Sequence, residues 1–543
     1  MFFPLIADKK NIFYRFMAEA SEKFQENCNC NNKHEKNTVN SKNINTCEKC
    51  IKKMKYDISN LSIKKKKKKS IFINNESQLR LEKNTSDELD LYLKELSTKI
   101  TKSDCENFKV IYKNYLKSKN KKINWSKVKR PDENLIAKYK DLENFKEEDK
   151  NIIDKVAILK LNGGLGTTLG CEGPKSMLVV KSEECFLDLV IKNLKKINKK
   201  FKSNIPLILM NSFNTEKKTA KFLRKYNNIK TFNQSCFPRI SSSNLLPIDL
   251  TMGSEALYPP GHGDLLISLE KSGLLDELLK EGKEYLFISN IDNLGADFDQ
   301  KILKYFSQEN LDFLMELTEK TRNDIKGGTL INYKNKLKLL EIAQVPIENL
   351  KDFTSNRLFK IFNTNNIWIN LKSLKKLSNE DIKLDIIENK KKLSNGEEVI
   401  QLETAIGAAI SLFKKTSGLI VSRDRFRPVK NVSDLFIIRS NLFKEKGGLL
   451  KINKKRINKQ LPNIKLLGED FKDVNCFDEM FKDIPNLLEL DHLTVYGNVY
   501  FGKNITLKGT VIIIAGKNQT IRIPENSILE DNIIYGNLPI IEY

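Results

Sequence analysis

One stretch, residues 156–177, constrains this chain more than any other. Val156–Leu161 is a largely apolar run that reads as a buried strand. It breaks into Gly163, Gly164, Gly166, Gly170 and Gly173, five glycines within eleven residues, and ends on Pro174-Lys175. Such density costs chain entropy and is expected where backbone must approach a ligand closely. A glycine loop leaving a strand offers N–H groups to an anion, and Lys175 adds a point charge suited to phosphate. The stretch predicts a nucleotide-phosphate cradle; the plain alternative is a glycine turn without a ligand. It is neither common cradle. A Walker loop needs Gly, four residues, then Gly-Lys-Ser/Thr, but here Pro174 precedes Lys175-Ser176. Gly164-Leu165-Gly166 opens a dinucleotide fingerprint, whose third glycine falls one residue late, at Gly170.

The surroundings agree with this. From about 152 to 445, strand-like apolar runs alternate with amphipathic helices, the pattern of an α/β sheet. Pro206–Met210 and Tyr285–Ser289 read as short buried strands, and Thr215–Lys225 as a helix. Asn211-Ser212 and Asn290-Ile291-Asp292-Asn293 follow the strands, at the carboxyl edge where such sheets bind ligands.

The C-terminal stretch has its own period. Leu493, Val499, Ile505 and Val511 are six residues apart, and Ile528, Ile534 and Ile540 resume the step after a break near Gly516–Gln519. A six-residue aliphatic step predicts a parallel β-helix, with an antiparallel sandwich as the alternative.

With 543 residues, more than one domain is expected. The organisation reads as an Asn/Lys-rich, disordered extension over 1–85 and a helical segment over 86–150. A catalytic domain then spans 151–445, a linker 446–485 and the β-helix 486–543. Leu89, Leu91, Leu93, Leu96, Phe108, Ile111, Tyr112 and Tyr115 carry the helical pattern, which Pro131 breaks. The extension holds six consecutive lysines, Lys64–Lys69, readable as a solvated linker, an import signal or a membrane-surface patch. Its Cys28-x-Cys30 and Cys47-x-x-Cys50, with His34 between, approach zinc-ligand spacing; free thiols are the alternative.

Net charge is +25, which raises a nucleic-acid reading. Residues 1–150 alone hold 35 Lys/Arg against 22 Asp/Glu, so half the excess sits in the first quarter of the chain. Lysine far outnumbers the arginine that base readout favours. The charge suits anionic small substrates, and no nucleic-acid partner is expected. No apolar run is long enough to span a membrane. The start does not read as a secretory signal, so the nine cysteines are expected to be reduced, in the cytoplasm.

Together these motifs resemble the eukaryotic-type UTP–glucose-1-phosphate uridylyltransferase (UDP-glucose pyrophosphorylase) family. The resemblance rests on Leu161-Asn-Gly-Gly-Leu-Gly-Thr167, Gly173-Pro-Lys-Ser176 and Phe232-Asn-Gln-Ser-Cys-Phe-Pro-Arg-Ile240. It extends through Tyr258-Pro-Pro-Gly-His-Gly-Asp264, Asn290-Ile-Asp-Asn-Leu-Gly295 and Lys320–Thr329 to Glu341–Pro346. Lys360–Asn366, Gln401–Ala405 and Arg427-Pro-Val-Lys430 complete it, across roughly residues 106–543. It implies a Rossmann-like, glycosyltransferase-A-type nucleotidyltransferase domain with a left-handed β-helix. It also implies Mg2+, and the substrates and products UTP, glucose 1-phosphate, UDP-glucose and pyrophosphate. A homo-oligomer through the β-helix is a further possibility. A UDP-sugar pyrophosphorylase of other or broader specificity is the alternative, although Thr168 stands where the N-acetylhexosamine enzymes carry arginine.

The resemblance also implies roles. Leu161, Asn162, Gly163 and Gly164 would hold the uridine nucleotide by backbone contact, and Gln234 would read the uracil edge. Gly261 would lie against the uracil. Lys175 would meet the β- and γ-phosphates, Asp292 would hold Mg2+, and Lys430 would be the principal transition-state cation. His262, Asn290, Asn365 and Lys360 would hold the sugar phosphate. Two residues depart from the pattern: Glu172 beside the phosphates, and Ile291, expected to point into the sheet.

Overall fold

The computed structural model describes residue 89 and residues 92–119, 122–171, 173–321, 324, 327–355, 357–378, 381–458 and 460–536. Its centre is an eight-stranded sheet. The order is Ile136–Lys138, Thr416–Ile420, Phe313–Glu319, Ile361–Asn370, Tyr285–Asn290, Val156–Leu161, Leu207–Asn211 and Ile229–Asn233. All neighbours are parallel except around Ile361–Asn370, which runs against both of its own. The glycine loop therefore leaves an interior strand, flanked by the two strands expected near 206–210 and 285–289. All of Val156–Leu161 is buried, as a parallel strand covered on both faces must be.

Alternate residues feed two cores. Ile158 joins Phe186 and Leu189 of helix Phe186–Phe201 and Phe306 of helix Gln300–Gln308. Ala157 and Leu159 join Leu265, Leu269 and Leu275 on the other face. Helix Glu216–Leu223 sits where one was expected, with Thr215 before it. Ile291 is buried in the first core, as expected.

The C-terminal strands stack in parallel. Asn463–Leu467, Asn486–Tyr496, Thr506–Ile514 and Ile528–Glu530 pair in that order, and Ile533–Tyr535 also pairs with Thr506–Ile514. Leu493, Val499, Ile505 and Val511 are buried, as the six-residue step requires, and Ile534 is buried too. Ile528 is not: it is 66% exposed, and Leu529 enters the core in its place. Ile521, Ile523 and Leu529 keep the phase of Leu493–Val511, so the Gly516–Gln519 turn leaves the alternation intact and Ile528, one residue off that step, faces out. The slip of one falls after Leu529, where Asp531 takes φ +47°, and brings Ile534 inside. Ile540 lies outside the described residues.

Two segment assignments need correction. Among the described residues of 86–150, 92–96 and Lys102–Ser118 are helical, the latter burying Phe108, Tyr112 and Tyr115. Beyond Pro131 the chain forms short turns and the strand Ile136–Lys138, which joins the central sheet as an edge. The stretch 446–485 is no linker. It includes strand Leu449–Ile452, strand Asn463–Leu467 (the first rung of the stack) and helix Val474–Met480. Its Val474, Phe477 and Phe481 belong to the same cluster as Ile158 and Val511. Phe436, Phe481 and Phe501 carry that cluster across, with centroid separations of 4.7 and 4.4 Å.

Among the described residues, no helix is long and apolar enough to cross a membrane. Cys105, Cys171, Cys185, Cys236 and Cys476 are unpaired. Cys28, Cys30, Cys47, Cys50, His34 and Lys64–Lys69 lie outside the described residues.

Candidate active site

The sheet's carboxyl edge gathers most of the expected residues. Leu161 ends its strand, with its carbonyl accepting from Ile291 N at 3.3 Å. Asn162 N donates to Met210 O at 2.8 Å, so this amide is committed to the fold rather than to a ligand. Its side chain is equally tied, with Nδ2 donating to Asn211 Oδ1 at 2.7 Å and to Thr219 Oγ1 at 3.1 Å. The N–H groups of Gly163 and Gly164 donate to nothing among the described residues, and a Cβ on Gly164 would meet only open space. Gly166 and Gly170, by contrast, spend their N–H groups within the loop, on Gly173 O and Thr167 O.

Gln234 packs directly on this loop. A Cβ on Gly163 would fall 1.9 Å from Gln234 Nε2, so the glycine is required by the amide beside it. Gln234 Oε1 is buried without a hydrogen-bond partner, an arrangement suited to a base edge carrying an N–H. Sequence reasoning missed what holds Gln234 there. Buried Asp264 accepts from Ser235 N at 2.7 Å, Ser235 Oγ at 3.0 Å and Ser268 Oγ at 2.5 Å, tying the Gln234 loop to the His262 loop. Burial pushes the Asp264 carboxyl up, against those hydrogen bonds.

His262 Nδ1 accepts from Ile406 N at 3.0 Å. Burial pushes the imidazole down to about 4, so it is neutral near pH 7. Its proton then sits on Nε2, leaving a donor for a sugar phosphate. Gly261 has φ +85°, and a Cβ there would lie 2.7 Å from Thr404 O. Packing on Thr404 therefore accounts for the glycine without invoking the uracil.

The charged side of the site lies at the loop's other end. Lys175 Nζ donates to Asp292 Oδ2 at 2.6 Å, with both side chains mostly buried. Asp292 Oδ1 is buried without a partner. Val429 N donates to Asp292 O at 3.3 Å, and Asn293 bridges Pro428, which brings the Lys430 segment against the Asp292 loop. Lys430 is exposed, its Nζ 5.7 Å from the Phe426 ring centroid and its backbone N on Asp434 Oδ2 at 2.8 Å. Burial pushes the Asp434 carboxyl up, while Lys430 and Lys175 pull it down; Asp434 thus faces both lysines.

Asn290 and Asn365 also meet: Asn365 Nδ2 donates to Asn290 Oδ1 at 2.8 Å, leaving Asn365 Oδ1 buried and unpaired. The pairing register shifts between Met315 and Leu317, opposite residues 364–366. Asn365 takes φ +59° in this bulge, a conformation asparagine tolerates. Lys360 stands apart. It is exposed, lines a cavity of about 610 Å3 with Arg130, Lys138 and Ile420, and its ammonium makes no hydrogen bond or ion pair among the described residues. Glu172 lies outside the described residues.

A glycine cradle ending an interior parallel strand, beside a lysine–carboxylate pair, defines a nucleotide-binding α/β site. The family model described as UTP–glucose-1-phosphate uridylyltransferase matches residues 105–508. A protein of that name from Encephalitozoon cuniculi is 53% identical over 442 residues, covering 81% of this chain and 89% of its own. One from Saccharomyces cerevisiae is 46% identical over 453 residues, covering 81% and 90%. Among solved structures, UDP-glucose phosphorylase from Trypanosoma brucei superposes with TM-score 0.73 at 35% identity, covering 82% of this chain and 98% of that one. A Leishmania major UDP-glucose pyrophosphorylase variant in complex with UDP-glucose gives 0.73 at 31%, covering 81% and 98%. The chain belongs to the UTP–glucose-1-phosphate uridylyltransferase family.

Proposed function

We propose that this chain is a nucleotidyltransferase that converts UTP and glucose 1-phosphate to UDP-glucose and pyrophosphate, reversibly and with Mg2+. A phosphate oxygen of glucose 1-phosphate attacks the α-phosphorus of UTP in line. The new P–O bond forms as the bond to the β-phosphate oxygen breaks, and pyrophosphate leaves with the electron pair. The nucleophile is already anionic, so no general base is needed, and the work is positioning and charge stabilisation. One observation carries the reading. Lys175 N donates to Gly164 O at 3.2 Å, so the loop closes on itself and sets the Lys175–Asp292 pair next to the cradle of Gly163 and Gly164 and to Gln234, within reach of the two ends of one nucleoside triphosphate.

In this reading Gln234 takes the uracil edge, Lys175 meets the departing pyrophosphate, and Lys430 stabilises the charge that develops. His262 donates from Nε2 to the sugar phosphate, and Asn290 with Asn365 takes sugar hydroxyls. The unpaired Asp292 Oδ1 suits a hard cation. No group of three or more His, Cys, Asp or Glu able to hold a metal occurs among the described residues, so phosphate oxygens and water would complete the shell. Mg2+ held there would neutralise charge on the triphosphate. The five unpaired cysteines suit a reducing cytoplasm. The sheet and six-residue step support a glycosyltransferase-A-type domain and a left-handed β-helix.

The test is pyrophosphate release from UTP with a panel of sugar 1-phosphates, and the reverse reaction from UDP-glucose. Glucose 1-phosphate should be preferred. Equal rates with galactose or N-acetylglucosamine 1-phosphate would favour the broader enzyme.

A further inference from the structure

Beneath the Asp292 and Lys430 segments lies a buried ion pair in contact with neither of those residues. Glu316, fully buried on strand Phe313–Glu319, accepts from Arg425 Nε and Nη2 at 2.7 Å each. The same carboxylate accepts from Asn366 Nδ2 and Trp368 Nε1, each at 3.0 Å. Burial alone would lower the guanidinium's pKa, but Glu316, Asp299 and Asp297 raise it above its ordinary value. Arg425 also uses its backbone. Its carbonyl accepts from Asn293 Nδ2 at 3.1 Å and Asn366 Nδ2 at 3.2 Å, while its Nη2 reaches Asp297 O at 2.9 Å. Asn293 Oδ1 in turn receives Arg427 N at 2.8 Å.

This carboxylate therefore joins three segments. One follows strand Tyr285–Asn290 and carries Asp292. The second is the bulge that carries Asn365. The third runs from Arg425 to Lys430. Each is fixed to the hub within five residues of its candidate side chain. A bidentate pair with every acceptor used holds one geometry, whereas a merely stabilising pair could be replaced by apolar groups at little cost.

We propose that Glu316 and Arg425 are positioning residues that set Lys430 against Asp292 for the transferase reaction. The inference rests on the role given above to Lys430, so Lys430→Ala is measured beside it. Glu316→Gln keeps the shape and removes the charge. It should lower kcat about 10- to 100-fold, the scale of a supporting-shell loss, with KM for UTP within about threefold. Glu316→Gln added to Lys430→Ala should cost less than about threefold more, because the hub then has nothing to position. Double replacement by Glu316→Met and Arg425→Met should recover thermal stability without recovering kcat. Should Glu316→Gln fail to fold, Arg425→Lys takes its place in every measurement.

The outcomes separate. A parent-like rate for Lys430→Ala overturns the reading of the site itself. A slow Lys430→Ala with a parent-like or fully multiplicative Glu316→Gln overturns only the positioning role. So does a double methionine variant that recovers kcat together with stability.

Discussion

Lys175 Nζ stands 2.6 Å from Asp292 Oδ2, so the two charges neutralise each other; in the function proposed above, substrate phosphate and Mg2+ would separate them. Lys175→Met should therefore have two effects. Turnover should fall about 10²–10³-fold, the scale for losing one preorganised charge. The Mg2+ concentration for half-maximal rate should also fall, at least about threefold, because a nearby positive charge no longer competes for the carboxylate. An unchanged Mg2+ titration of the variant would show that the pair does not guard the metal position.

Gly163→Ala addresses the uridine end. The new methyl group would collide with Gln234 Nε2, and that amide would have to leave. KM for UTP should rise at least about tenfold, or about 1.4 kcal/mol, with a far smaller change in KM for glucose 1-phosphate. Equal changes for both substrates would mean that Gln234 does not read the base.

Lys430→Ala should lower turnover about 10²–10³-fold with the fold intact by circular dichroism. Less than a threefold loss would remove it from the mechanism.

His262 makes a prediction about pH. Its folded pKa, about 4, lies below its ordinary 6.5, so between those values the unfolded chain binds more protons than the native one. Stability then rises with pH through this window. It is fully present above 6.5 and is lost as pH falls toward 4. The urea midpoint of the parent should drop over that range, and His262→Gln should drop less. Parallel curves would show that His262 is protonated in the native state.

Gly261→Ala should destabilise without altering chemistry directly. It forces a Cβ onto a φ of +85° and against Thr404 O, worth about 1–3 kcal/mol in strain alone. A melting temperature within a degree of the parent would mean the loop relaxes freely.

Local chemistry was legible where it repeats or concentrates. The strand Val156–Leu161, its glycine loop, the neighbouring strands and most of the six-residue step could be read because burial imposes a period on them. Ile528 could not, since it stands one residue off the step that Ile523 and Leu529 continue, and an isoleucine on the outer face reads like one inside. Lys360 and Lys430 look alike in a chain this rich in lysine; only Lys430 is brought beside Asp292, by pairing between Asn293 and Pro428. Glu316 did leave a signal, a carboxylate inside the apolar run Phe313-Leu-Met-Glu-Leu317. Its partner Arg425 is more than a hundred residues away, and no local pattern connects them. Asp264 was likewise visible only as the end of a motif: Ser268 is one helical turn on, but Ser235, the partner that ties it to Gln234, lies on another segment.

The aromatic bridge of Phe436, Phe481 and Phe501 has a consequence for how the chain comes apart. Sheet and stacked coil share one apolar interior, so neither can melt while leaving the other dry. Calorimetry of the described portion should give a single endotherm whose van't Hoff and calorimetric enthalpies agree. A cut between 445 and 486 would then not release two folded halves. It would open a common interior to water, and the coil would be lost together with the sheet it was cut from.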